Sequence, residues 1–237
     1  MSEETTGIGK EKKPFFSENT IEVLVAIFLG ITALLTAWAS WIGSLHGGNQ
    51  ATNYTKSNNL ASEGNSEYNA GLQTYLSDLM VWNTLMEYIF DQELAELDGD
   101  TGKYQLIEEK IDNYVDQNGS DILSEAAGQM TDDMSSPFEV PGMMDKYFET
   151  ANGLLAESRA VLEEGQRDNS NGDAYNLVNV IYSVVLFMLG IVGVFKKLPN
   201  RTVVLCIAVI GLVLATIYMI TIPMPTGFDI GSFFAAK

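Results

Sequence analysis

Cysteine and histidine are almost absent from this sequence, because Cys206 and His46 each occur only once. One cysteine cannot form an intrachain disulfide, and a structural zinc site needs several Cys or His ligands together. The sequence therefore predicts neither a disulfide-stabilised fold nor a Cys/His metal centre. We also expect no cofactor.

Basic residues are scarce, with 13 Lys and Arg against 31 Asp and Glu and a formal net charge of −18. The imbalance is concentrated between positions 47 and 173, where 25 residues are acidic and six are basic. Such a region repels nucleic-acid phosphates and anionic lipid headgroups, so we expect no nucleic-acid partner. A solvated acidic surface explains the composition, and attraction of cations is the alternative.

Charged residues are missing from three long stretches. They contain 23 residues between Glu22 and His46, 22 between Asp173 and Lys196, and 21 between Arg201 and Pro223. A helix of about 20 apolar residues crosses the roughly 30 Å hydrocarbon core of a bilayer. The sequence therefore predicts an all-α integral membrane protein with three transmembrane helices. A cleaved signal peptide ending at Ala37-Trp38-Ala39 is the alternative for the first stretch, but its apolar core is long for a signal.

No Asp, Glu, Lys, Arg or His lies well inside any span, and recognisable catalytic patterns are also lacking. Pumps and ion-coupled transporters usually need intramembrane ionisable groups, so their absence argues against those classes. There is no phosphate-binding glycine loop or nucleophile elbow, and His46 has no Cys or Ser partner at a defined spacing. We expect no catalytic residue and no enzyme.

Basic residues next to the spans predict the orientation in the membrane. Lys10, Lys12 and Lys13 precede the first span, and Lys196, Lys197 and Arg201 separate the second from the third. Since basic flanks stay in the cytoplasm, both regions belong inside the cell. The predicted order is a cytoplasmic tail (1–20), a transmembrane helix (21–45), an acidic helical extracytoplasmic domain (46–173), a second transmembrane helix (174–195), a basic cytoplasmic turn (196–201), a third transmembrane helix (202–222) and an extracytoplasmic tail (223–237). We expect the protein in the plasma membrane.

A heptad stripe marks the first long helix of the acidic domain. Its apolar positions recur at alternating steps of four and three: Tyr68, Leu72, Tyr75, Leu79, Trp82, Met86 and Ile89. Further apolar residues widen the stripe beyond a two-stranded coiled coil: Leu76, Leu85, Phe90, Leu94 and Leu97. The helix therefore packs either against its own domain or against neighbouring copies, in which case the stripe is an oligomer contact.

Small and polar residues in the spans are candidate contacts of two kinds. Small residues let helix backbones approach closely in lipid, and the candidate packing positions are Ala26, Gly30, Ala33, Ala37, Gly190, Gly193, Gly211 and Ala215. Packing within one subunit and packing between subunits both fit. Thr32, Thr36, Ser40 and Asn179 are the candidate pore-lining residues, although bonds to backbone or neighbouring helices explain them as well.

Two local motifs carry little weight. Residues 98–109 have acids at the first, third and last positions of a calcium loop, but Lys103 stands where that loop needs glycine. A helix-breaking turn is the better interpretation. Asn53-Tyr54-Thr55 and Asn118-Gly119-Ser120 are glycosylation sequons on the predicted outer side.

Three features together resemble a known architecture. They are the apolar run 24–35 followed by a polar helical stretch rich in small residues, the helical middle, and the closing pair of spans with Lys196-Lys197 and Arg201 at their turn. This plan resembles an uncharacterised bacterial family of three-span membrane proteins, known only as a domain of unknown function. The resemblance implies no activity and no functional residues.

Three functional hypotheses follow from the sequence. The first is a non-enzymatic membrane protein that forms a homo-oligomer or serves as an accessory subunit of a membrane complex. The second is a cation-conducting pore with an acidic outer vestibule. The third is a membrane sensor of an extracytoplasmic ligand, which would need a partner because little of the chain lies in the cytoplasm.

Overall fold

The computed structural model describes residues 17–195, 200–229 and 231. All regular structure within these ranges is helical, as the sequence predicts. The α-helices are α1 (Glu18–Leu97), α2 (Thr101–Ile111), α3 (Tyr114–Asn118), α4 (Asp121–Ala127), α5 (Met143–Val194) and α6 (Arg201–Thr221), and a short 3-10 helix covers Pro137–Glu139. Most of the predicted cytoplasmic tail, residues 196–199 of the basic turn, and residues 230 and 232–237 of the C-terminal tail lie outside the described residues.

Helices α1, α5 and α6 each contain a stretch long and apolar enough to cross a membrane. These stretches fall in the three predicted spans. Neither α1 nor α5 is interrupted where the predicted spans meet the acidic domain. The polar segment 165–173 is therefore helix.

Helix ends follow the local chemistry of the chain. Helix α1 stops before Gly99, whose positive φ of 70° suits glycine, and Asp100 then caps α2 by accepting from the Lys103 amide. Ser120 caps α4 by accepting from the Leu123 amide at 3.2 Å. At the start of α6, buried Arg201 donates from Nε to the carbonyl of Val192 at 2.8 Å and so satisfies the end of α5.

The chain divides into two compact units. The span unit contains Met1–Thr52 and Glu164–Lys237, and the acidic unit contains Asn53–Glu163. The core of the span unit is built where α1, α5 and α6 meet, around buried Ile42, Tyr182 and Leu205. The core of the acidic unit lies around Leu123, Met143 and Tyr147.

Within the acidic unit, small residues bring α1 and α5 close together. The inward positions of α1 recur every seven residues at Ser57, Gly64, Gly71, Asp78 and Leu85, all of them buried except the half-buried Gly71. A methyl group on Gly71 would overlap the carbonyl oxygen of Tyr147. Only glycine permits so close a backbone approach, and this fixes which face of α1 is turned inward.

A reciprocal serine pair holds the same two helices. The Ser57 hydroxyl donates to the carbonyl of Ser158, and the Ser158 hydroxyl donates to the carbonyl of Ser57, both at 2.9 Å. Each buried hydroxyl is therefore satisfied across the contact rather than within its own helix. A net contribution of about 1 kcal/mol for each bond is typical.

Candidate functional site

One face of α1 in the acidic unit is exposed along its whole length. Twelve positions at steps of three and four form what we call the α1 outward face: Asn58, Ser62, Asn65, Asn69, Leu72, Leu76, Met80, Asn83, Glu87, Phe90, Leu94 and Leu97. Only Glu87 among them is charged, in a unit that carries 22 acidic and five basic residues. The face is thus almost free of the charge that covers the rest of the unit.

The second half of this face presents large apolar side chains. Met80 is 67% exposed, Phe90 61% and Leu97 83%. These residues lie outside the predicted spans, so water rather than lipid would surround them in a lone subunit. Large exposed apolar side chains gathered on one face mark interaction sites on soluble domains.

Apart from Leu72, the predicted oligomer stripe does not belong to this face. The ring of Tyr68 stacks on Phe148 at 4.7 Å, and the ring of Tyr75 meets those of Phe138 and Tyr147 edge-on at 5.6 Å. Its remaining members other than Leu72 are half-buried: Leu79, Trp82, Met86 and Ile89. The stripe therefore faces mainly its own unit, because aromatic partners are present there.

The residues that widened the stripe in the sequence supply much of the exposed apolar surface. Leu76, Phe90, Leu94 and Leu97 belong to the α1 outward face, whereas Leu85 is buried. In the sequence these exposed residues also recur with heptad spacing. They lie next to the aromatic series, so the sequence did not distinguish the two faces.

In the span unit, the small-residue positions of α1 lie on the surface. Ala26, Gly30, Ala33 and Ala37 are all exposed, and nothing lies within 4 Å of the place where a side chain on Gly30 would begin. We call these four residues the α1 small-residue face. A second helix could approach its backbone closely in lipid.

The other candidate packing residues differ in their surroundings. A methyl group on Gly193 would lie 3.4 Å from Val25, and one on Gly211 would lie 3.3 Å from Val185. Ala215 is buried, while Gly190 has open space around it. Gly193, Gly211 and Ala215 thus serve packing inside the subunit.

The candidate pore-lining residues bond to their own helix or to a neighbour. The Thr32 hydroxyl donates to the carbonyl of Phe28, and the Thr36 hydroxyl donates to that of Thr32, both at 2.7 Å. The Asn179 amide donates to the Ser40 hydroxyl at 3.1 Å and so joins α5 to α1. These bonds match the packing alternative that the sequence left open for these residues.

A buried carboxylate in the acidic unit was missed by the sequence analysis. Asp78 accepts from the Ser120 amide at 2.9 Å, from the Ser120 hydroxyl at 2.5 Å and from the Tyr147 hydroxyl at 2.7 Å. Burial, together with the hydrogen bond to the Asp78 carboxylate, raises the pKa of the Tyr147 hydroxyl. The cluster joins α1, α4 and α5 through buried hydrogen bonds, and its role is structural.

A second buried polar group lies in the span unit. The His46 ring reaches the Asp168 carboxylate through Nδ1 at 2.8 Å and the carbonyl of Pro223 through Nε2 at 3.1 Å. Both side chains are buried. Asp168 follows His46 by 122 positions, so no local spacing in the sequence could have paired them.

Within the described residues, no group of His, Cys, Asp and Glu side chains could hold a metal ion. Positions 101–109 of the candidate calcium loop are helical, because they belong to α2. Of the two sequon asparagines, Asn53 is half-buried within α1 and Asn118 is exposed at the end of α3.

Comparison with known proteins gives no family for this chain: no family model matches it, and neither a curated protein nor a solved structure is significantly similar to it.

Proposed function

We propose that this chain is a non-enzymatic multi-pass membrane protein that assembles with copies of itself through the α1 outward face. The observation that carries the proposal is the row of exposed apolar residues at Leu76, Met80, Phe90, Leu94 and Leu97, outside the predicted spans. Covering such a row removes apolar surface from water, which stabilises the assembly by about 25 cal/mol for each Å² buried.

The charge pattern favours a second copy as the occupant of this face. Each acidic unit carries 22 acidic and five basic residues, so two copies repel each other wherever their carboxylates meet. The α1 outward face holds one carboxylate, that of Glu87, in twelve positions. Copies can therefore approach along it without bringing many like charges together, whereas a basic partner would be drawn to the acidic faces.

The membrane supports the same arrangement. Copies inserted with one orientation present their α1 helices in parallel, and symmetric association of identical surfaces is the usual form of an oligomer. In the spans, the α1 small-residue face offers a second contact of the type that joins helices in lipid. We propose the plasma membrane as the location, with the acidic unit outside the cell and the N-terminus in the cytoplasm.

Mass measurement of the full chain in detergent or nanodiscs tests the proposal. We expect an oligomer for the wild type and a shift toward monomer for Leu94→Glu, which places a carboxylate on the α1 outward face. The matched control is Leu106→Glu, since Leu106 is 65% exposed on α2 and lies off that face. This control should keep the wild-type mass.

Disulfide trapping locates the contact in the same particle. In a Cys206→Ser background, Asn65→Cys should cross-link two copies under mild oxidation, while Asn59→Cys, exposed on another side of α1, should not. A wild type that runs strictly as a monomer, or equal cross-linking at both positions, contradicts the proposal. A complex containing a different membrane subunit would instead indicate an accessory role.

A further inference from the structure

A segment after α6 is held against α1 in the span unit. Residues 223–228, which we call the C-terminal strap, receive four contacts from α1 side chains. His46 reaches the carbonyl of Pro223, and the Asn49 amide donates to the carbonyl of Thr226, both at 3.1 Å. The rings of Trp38 and Trp41 lie 6.3 and 5.8 Å from that of Phe228. From α5, the Tyr175 hydroxyl donates to the sulfur of Met224 at 3.8 Å.

His46 is the one ionisable group among the four α1 contacts, and each of its ring nitrogens faces an acceptor. Nδ1 meets the Asp168 carboxylate and Nε2 meets a backbone carbonyl. A neutral imidazole donates from one nitrogen only, whereas the doubly protonated ring donates from both. While Asp168 is ionised, both bonds therefore exist together only when the ring carries two protons.

The carboxylate decides which bond survives when one proton is lost. A charged acceptor holds a hydrogen bond more strongly than a neutral carbonyl does. Nδ1 therefore keeps its proton toward Asp168, and Nε2 gives its proton to water. The lone pair of Nε2 then faces the lone pairs of the Pro223 carbonyl, and that contact becomes unfavourable.

The surroundings of His46 contain few other titratable groups. Helix α5 contributes Asp168 and Tyr175, whose ring lies 5.8 Å from the imidazole, while Arg167 and Asp173 are exposed. The strap has no ionisable residue, and α1 has none from position 42 to 50 apart from His46. Tyr218 of α6 is exposed.

We propose that His46 is a proton-operated clasp: with both ring nitrogens protonated it joins Asp168 to Pro223, and loss of the Nε2 proton removes the contact with Pro223 and so loosens the C-terminal strap on α1. The regulated element is the strap, so the span unit has a tight form at lower pH and a loose form at higher pH. This inference does not depend on the oligomer proposed above.

Tryptophan fluorescence of the full chain in detergent tests the clasp. A Trp82→Phe background leaves Trp38 and Trp41, and both rings contact Phe228. Between pH 5 and 9 we expect one transition, with redder emission and stronger acrylamide quenching on the alkaline side. This range avoids free carboxyl and tyrosine groups, which titrate near ~4 and ~10.

Two variants separate the clasp from a general loosening of the span unit. His46→Gln has no titrating ring, so the transition should be lost. Asn49→Ala removes a strap contact that does not titrate, so it should weaken the strap at every pH and keep the transition. Persistence of the transition in His46→Gln would overturn the proposal.

A measurement on the wild type alone remains decisive if a variant fails to fold. Because His46 is the only histidine, labelled histidine in a tag-free chain gives one set of ring signals. The ring titration and the fluorescence transition should share one midpoint. Midpoints at clearly different pH, or no fluorescence transition between pH 5 and 9, would refute the clasp.

Discussion

Single polar side chains in this protein are satisfied by partners far away in the sequence. Asp78 and Tyr147 are 69 positions apart, and Ser57 and Ser158 are 101 apart. Sequence patterns can indicate local caps, such as Ser120 on α4, because cap and helix are neighbours in the chain. They could not predict the buried pairs, since nothing in one helix indicates which residue of another it will meet.

At this scale we predict that Tyr147→Phe destabilises the acidic unit. The substitution keeps the ring but removes a hydrogen bond to the buried Asp78 carboxylate, which retains both donors of Ser120. The free energy of unfolding should fall by about 1.5–3 kcal/mol, which is typical of hydrogen bonds to charged groups. Thermal or chemical unfolding of the full chain measures it. Tyr68→Phe is the control, because its stacked ring should change stability much less.

The pH dependence of this effect has a definite sign. The folded state raises the pKa of Tyr147, while the unfolded hydroxyl loses its proton near pH ~10. The stabilisation is therefore complete below pH ~10 and declines as the pH rises further, because the unfolded state is then favoured by ionisation. The stability difference between wild type and Tyr147→Phe should shrink above that pH. A constant difference would contradict this account.

Among the elements, the close contact of α1 and α5 rests on glycines rather than on large apolar residues. Gly64 and Gly71 both face α5 at distances that leave no room for a methyl group, with Leu155 and Tyr147 as their neighbours. The heptad spacing of small residues was visible in the sequence. The aromatic stripe indicated the packing face instead, because large apolar side chains are the usual sign of a buried helix face.

We therefore expect opposite effects from two glycine-to-alanine substitutions in the acidic unit. Gly71→Ala makes a methyl group overlap the Tyr147 carbonyl oxygen, so the helices must separate at a cost of about 1–3 kcal/mol. Gly153→Ala meets nothing within 4 Å and should stabilise α5 by roughly 0.5–1 kcal/mol. Melting temperatures of the two variants provide the comparison. Equal shifts in one direction would mean that helix propensity, not packing, dominates at both sites.

For the whole molecule, the sequence predicted the helical class and three membrane-length helices, because long uncharged runs depend only on composition. It left the continuity of α1 and α5 open, since glycine and asparagine near positions 47 and 171 are compatible with a break. Packing on a neighbouring helix outweighs such weak local preferences. The orientation in the membrane and the membership in the bacterial three-span family stay predictions.

Orientation is testable by labelling intact cells. In a Cys206→Ser background, we expect a membrane-impermeant maleimide to label Asn59→Cys, which lies in the acidic unit but off the α1 outward face, from outside. Ser2→Cys near the N-terminus should react only after permeabilisation, because basic residues hold that end in the cytoplasm. The reverse pattern would place the acidic unit in the cytoplasm and remove the proposed topology.

The contact between His46 and Gly172 constrains how this sequence can diverge. A methyl group on Gly172 would lie 3.6 Å from the β-carbon of His46, so alanine fits there and a longer side chain would push against the imidazole. Descendants of the same ancestor should therefore keep a small residue at 172 wherever they keep histidine at 46 and aspartate at 168. Lineages that have lost all three residues would also lack the packing of these positions against one another.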